Sequence, residues 1–150
     1  MFAKFNYDNF PIIHVYFSKN IENNSDFINF LNNWIELYNS KKKFSFIFHT
    51  EKVGYIPLKY AISMSLFIKK LKKREIQYLQ KSIIIINSSF VKNMLELIFY
   101  LQSPVAPVIL LNKKKIINLE NKIKYILSKN INDINDLDTN NTAIILPNSR

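Results

Sequence analysis

The chain has no cysteine and a single glycine, Gly54, in 150 residues. Without cysteine there are no disulfides and no thiolate metal sites, and the chain is at home in a reducing compartment. Loops that cradle phosphates need several glycines, so that backbone N–H groups can approach the ligand. One glycine excludes a P-loop or a GxGxxG dinucleotide site. Long hydrophobic runs are also missing, and the apolar stretches fall well short of the roughly 18 residues that would span a bilayer. Polar Asn6, Asp8 and Asn9 stand where a secretory leader would have its apolar core. A cytoplasmic, intracellular protein is expected. Acidic residues are scarce as well, 11 against 21 Lys and Arg, giving a net charge of +10. An anionic partner (nucleic acid, a phosphorylated ligand or an anionic membrane) would suit that excess. So would an AT-rich coding sequence, which crowds a chain with Ile, Asn and Lys whatever its function. Composition leaves both readings open.

What is present is organised around Gln80–Leu101, QKSIIIINSSFVKNMLELIFYL. The four isoleucines Ile83 to Ile86 are β-branched and stiff at χ1, which suits a pleated strand. An unbroken apolar run, without alternation, means that both faces are covered. That is the mark of a parallel sheet with helices packed on it. Ser88 or Ser89 can cap the helix that follows, Phe90–Leu101, which stops short of Pro104. A second apolar run, Val105 to Leu111, completes a right-handed βαβ unit.

Elsewhere the same two periods recur. Residues 2–9 could add an edge strand. Pro11–Phe17 alternates, with Ile13, Val15 and Phe17 on one side, and reads as a strand starting at a proline. Asn23-Asn24-Ser25 supplies caps for a helix whose stripe is Phe27, Phe30, Leu31, Trp34, Ile35 and Tyr38. Phe44–His49 is a strand and Thr50–Ile56 a loop. Pro57 opens a helix with an inward stripe of Tyr60, Ala61, Met64, Phe67, Ile68 and Leu71. Ile116-Ile117 is a short extended piece, and Asn118 caps a last helix bearing Leu119, Ile123, Ile126 and Leu127. The expectation is one α/β domain over residues 1–129, with four to five mostly parallel strands in one sheet. Its order is β-α-β-α-β-α-β-α. Residues 130–150 are a polar tail, pinned by the apolar patch Ala143–Leu146.

This plan resembles two fold groups. Tyr78, Ile85-Ile86-Asn87 and Phe90 stand where CRAL-TRIO lipid-binding domains have a tyrosine segment, a strand ending Ile-Ile-Asn, and a phenylalanine. STAS domains, the anti-sigma-factor antagonist group, are similar in their alternating plan and in length. The STAS-like resemblance implies a protein-interaction or scaffolding module. The CRAL-TRIO-like one implies a lipid or phosphoinositide binder with an apolar cavity under the Pro57–Arg74 helix. Regulatory STAS domains carry Asp-Ser-x-Gly where this chain has Tyr55-Ile56-Pro57-Leu58-Lys59, so no phosphorylated serine carries over, nor does any catalytic residue.

Candidate sites follow from the plan. In open α/β sheets ligands lie beyond the carboxyl ends of the strands, where helix N-termini also point. That edge gathers Lys19, Thr50, Lys52, Tyr55, Asn87, Ser88, Ser89, Lys113, Lys114 and Lys115 as a candidate anion or ligand rim. The opposite edge gathers Lys41, Lys42, Lys43, Lys69, Lys70, Lys72, Lys73 and Arg74, a basic surface suited to a flat anionic face. His14 and His49 fall in neighbouring strands, but no acidic residue accompanies either at ligand spacing. They read as ordinary strand histidines, with no metal and no cofactor. Ser88 and Ser89 lack the glycines of a nucleophile elbow, and Glu51 has no second carboxylate near it in sequence. No catalytic residue is assigned, and a non-enzymatic protein is expected. Its partner is most simply another protein; the alternatives are anionic lipid and, for a basic structural protein, nucleic acid.

Overall fold

Period-two strands and period-3.6 helices alternate through the chain, and the computed structural model describes them over residues 1–130 and 142–148. The strands are β1 (Ala3–Asn6), β2 (Ile12–Phe17), β3 (Phe44–His49), β4 (Leu79–Ile86), β5 (Val108–Asn112) and β6 (Thr142–Ile145). The helices are α1 (Asn24–Asn39), α2 (Leu58–Leu71), α3 (Ser89–Leu101) and α4 (Leu119–Ser128). All six strands form one sheet, ordered β1 to β6 in chain order. β2 to β5 are parallel, and β1 and β6 close the two edges antiparallel. The sheet is thus mixed, with six strands where the sequence led us to expect four or five.

Strand order explains which helix goes where. Successive right-handed crossovers that step in one direction across a sheet leave their helices on the same face. Accordingly Phe27, Phe30 and Trp34 of α1, Tyr60 and Phe67 of α2 and Val91 of α3 share one core with Ile13, Val15, Phe46, Phe48, Ile84 and Leu110. The opposite face is covered by α4, whose Ile126 is fully buried against Ile47, Ile83, Ile85, Ile109 and Leu111. The isoleucine run therefore divides by parity, Ile84 and Ile86 to one core and Ile83 and Ile85 to the other. Lys81, on β4, donates to the carbonyls of Ile126 and Lys129 at 2.8 and 2.7 Å. A cation at that helix end also meets the negative pole of the α4 dipole.

Local chemistry sets the ends. The Asp26 amide donates to Asn23 Oδ1 at 3.1 Å, and the Val91 amide donates to Ser88 Oγ at 3.2 Å. Of the two candidate serines, Ser88 is therefore the cap and Ser89 the first residue of α3. Asn118 precedes α4 but makes no side-chain cap, because its backbone is left-handed, with φ 60°. Strand β5 starts at Val108, later than the apolar run suggests. Pro104 and Pro107 have no N–H to donate, and the Pro107 carbonyl accepts from the Ser82 amide at 2.9 Å just ahead of the strand. Ile116-Ile117 forms no strand, and Ile117 is left exposed. The Ala143–Leu146 patch falls in β6 and the residues just after it. Residues 131–141 and 149–150 of the expected tail lie outside the described residues. Among the described residues, no helix is long and apolar enough to cross a membrane.

Candidate functional site

Helix α2 carries two apolar stripes. The inward one (Tyr60, Ala61, Phe67, Ile68, Leu71) is buried. The outward one is Leu58, Ile62 and Leu66, spaced i, i+4, i+8, so all three lie along one face. They are 59%, 46% and 55% exposed. Helix α3 packs beside α2 and adds Leu97 and Leu101. Together with Ser65, Lys69 and Gln102 these side chains line a groove of about 520 Å³. Lys69 is the only charged residue among them. Contiguous exposed apolar side chains of this kind mark interaction surfaces, whereas single exposed leucines do not.

Inside the three-helix face lies a second feature, a cavity of about 140 Å³ beneath α2. Its wall includes Phe27, Trp34, Ala61, Met64, Met94 and Val105. Thr50 and Ser82 also line it, but the Thr50 hydroxyl is already spent, donating to the Ile85 carbonyl at 2.7 Å. A void with so few polar partners for water is expected to stay dry.

The opposite sheet face carries a polar row that the sequence reading did not assemble. His14 and Tyr16 alternate onto that face of β2, and in β3 the register sets His49 beside Tyr16. His14 Nδ1 lies 2.9 Å from His49 Nε2, and the Tyr16 ring stacks on His49 at 4.3 Å. Beyond the strand end, Glu51 Oε1 is 3.6 Å from His49 Nδ1, and Lys113 Nζ donates to Glu51 Oε2 at 3.1 Å. Assigning the His49 proton to Nδ1, toward the carboxylate, makes its Nε2 the acceptor from His14 Nδ1–H. The groups run in a line and do not converge. Among the described residues, no cluster of His, Asp or Glu can hold a metal ion.

Burial lowers the pKa of both imidazoles from about 6.5; for His49 the neighbouring Glu51 opposes the shift, while His14 and Lys113 add to it. A depressed imidazole is neutral in the fold, and it takes up a proton more readily in the unfolded chain. Its contribution is therefore complete above about pH 6.5 and is lost as pH falls from there through the folded values. Thermal melts should show Tm falling between pH 7.5 and 5.5, and falling less in a His14→Phe/His49→Phe variant. An unchanged slope in the variant would assign the pH dependence elsewhere.

The expected rim residues lie beyond the ends of the parallel strands, and three of their side chains, those of Thr50, Ser88 and Lys113, are engaged in structural bonds. Thr50 is buried and bonded to Ile85. The Lys19 carbonyl accepts from the Gly54 amide at 2.8 Å, and Lys113 is held by Glu51. Ser88 caps α3, with Asn87 before it and Ser89 after. Lys52, Lys114 and Lys115 are exposed. Tyr55 is exposed too, its ring 5.8 Å from Phe90. None of the rim lysines lines the cavity or the groove.

At the other edge Lys41, Lys42 and Lys43 are exposed just ahead of β3. Arg74, just after α2, lies 5.5 Å over the ring of Tyr38, near the end of α1. Burial pushes the Tyr38 hydroxyl pKa up to about 12, and that hydroxyl donates to Gln77 Oε1 at 2.8 Å. Lys72 donates to Ser103 Oγ and, at 3.1 Å, to the Asn148 carbonyl. Lys69, Lys70 and Lys73 are exposed at and just beyond the end of α2, and Lys69 lines its groove. Set beside known proteins, the chain matches no family model, no curated protein and no solved structure.

Proposed function

We propose that the protein is a non-catalytic, STAS-like interaction module that docks another protein in the groove between α2 and α3. One observation carries this: Leu58, Ile62 and Leu66 stand in a row on the solvent side of α2, flanked by Leu97 and Leu101. Covering a leucine or isoleucine fully contributes about 1.5–3 kcal/mol, so several of them supply the apolar centre that an interface needs. Two parallel ridges of helix leave a trough that takes a third helix with anchors at i, i+3 or i+4, and i+7. Selecting binders from a random helical-peptide library tests the reading. Enriched sequences should carry that spacing and should lose binding to a Leu66→Asp variant that keeps the wild-type Tm. Peptides that bind Leu66→Asp as well as wild type would place the docking surface elsewhere.

A second reading, an apolar-ligand domain of CRAL-TRIO-like character, is favoured by the cavity under α2. Size narrows it. About 140 Å³ is close to the roughly 150 Å³ of an engineered void that takes benzene, and below the roughly 300 Å³ at which drug-sized pockets begin. A small apolar guest fits; the acyl chains of a phosphoinositide would need the cavity to enlarge.

A further inference from the structure

We infer that the occupant of the α2–α3 groove is an amphipathic helix whose acidic residues cluster at one end, an inference that rests on the docking reading above. From Leu58 to Leu66 the helix rises eight residue steps, about 12 Å or just over two turns. A short helical segment of a partner matches that length. Its anchors would meet Ile62, Leu66, Leu97 and Leu101.

Charge decides what surrounds the anchors. No acidic side chain lines the groove, and Lys69 does. Lys70 follows Leu66 by one helical turn on α2, and Lys73 lies just beyond the helix's last residue, Leu71. At the other end Lys59 lies over the Tyr60 ring, 5.1 Å from its centroid, and Lys92 is offset by Glu96 at 4.0 Å. Positive charge is therefore concentrated where α2 finishes. A second copy of this chain would also carry a net charge of +10, and like charges across an interface oppose association. A partner helix with glutamates or aspartates at the matching end gains from the same field.

Two designed peptides of about 15 residues test this by fluorescence anisotropy at low and at physiological salt. Both carry leucines at i, i+4 and i+7. One has glutamates in its terminal turn and the other has lysines there. The acidic peptide should bind at least tenfold tighter, its advantage should shrink with salt, and Lys69→Glu/Lys70→Glu should reverse the preference. Leu66→Asp should weaken both peptides. Equal affinities would overturn the acidic assignment and leave the groove reading standing. A preference that survives the double charge reversal would overturn it too. Binding of neither peptide at millimolar concentration would overturn the inference, and the library selection then judges the groove on its own.

Discussion

Replacing Phe46 by alanine is expected to cost about 3–5 kcal/mol, the range for removing a fully buried aromatic. Phe46 is 0% exposed, on the three-helix face of the central parallel strands. Its ring centroid lies 4.9 Å from Trp34, 4.6 Å from Phe48, 5.2 Å from Phe44 and 6.2 Å from Phe5. It joins β1, its own strand and α1 in one aromatic stack. Edge-to-face contacts of this kind add to simple burial. A domain of this size has about 5–15 kcal/mol in total, so one substitution removes a large share. Tm should fall by roughly 6–20 °C, at about 2–4 °C per kcal/mol. Thermal melts or urea titration measure it. A loss below about 1 kcal/mol would mean that the ring is not enclosed as described.

The opposite sign is expected at Ala61. This residue is 1% exposed, on the inward side of α2, and borders the cavity. Enlarging a side chain in a dense core usually costs about 1–3 kcal/mol through strain. Beside a void the balance reverses. At about 24 cal/mol per Å³ a cavity of this volume represents on the order of 3 kcal/mol of unrealised packing. Ala61→Leu fills part of it, on a helix where leucine is well tolerated. The variant should gain about 1–2 kcal/mol, with Tm up by several degrees. Benzene should raise the Tm of the wild type and leave that of Ala61→Leu nearly unmoved, since the guest's place is taken. A destabilised Ala61→Leu together with a wild type indifferent to benzene would remove the small-guest reading.

Much of this layout could be read from the chain, for reasons that are local. Phe44–His49 matches its strand residue for residue, because three phenylalanines and an isoleucine in six residues lie between a lysine run and a loop. The four isoleucines marked a strand covered twice, and parity then assigned each to its side. Strands β1 and β6 were harder. Each has four residues, and edge pairing depends on partners distant in sequence, not on local pattern.

The functional surfaces divide the same way. Leu58, Ile62 and Leu66 are spaced for an outward stripe and were legible. The stronger inward stripe is enough to account for the helix, so the outward one carries no separate functional signal in the sequence. The row from His14 to His49 and Glu51 was not legible. Its parts lie 35 and 37 positions apart, and only the pairing of Tyr16 with His49 aligns them. Sequence could not say that Lys113 is tied to Glu51 or that the Thr50 hydroxyl is bonded to the Ile85 carbonyl, because both partners lie far off in the chain.

Methyl chemical shifts of the Ile and Leu side chains, followed while the acidic amphipathic peptide is titrated in, bear most directly on the docking surface. Leu58, Ile62, Leu66, Leu97 and Leu101 should move together and saturate, while Ile83, Ile85 and Ile109 on the α4 side stay still. Shifts centred on the α4 side, or spread evenly over both cores, would contradict a partner seated between α2 and α3.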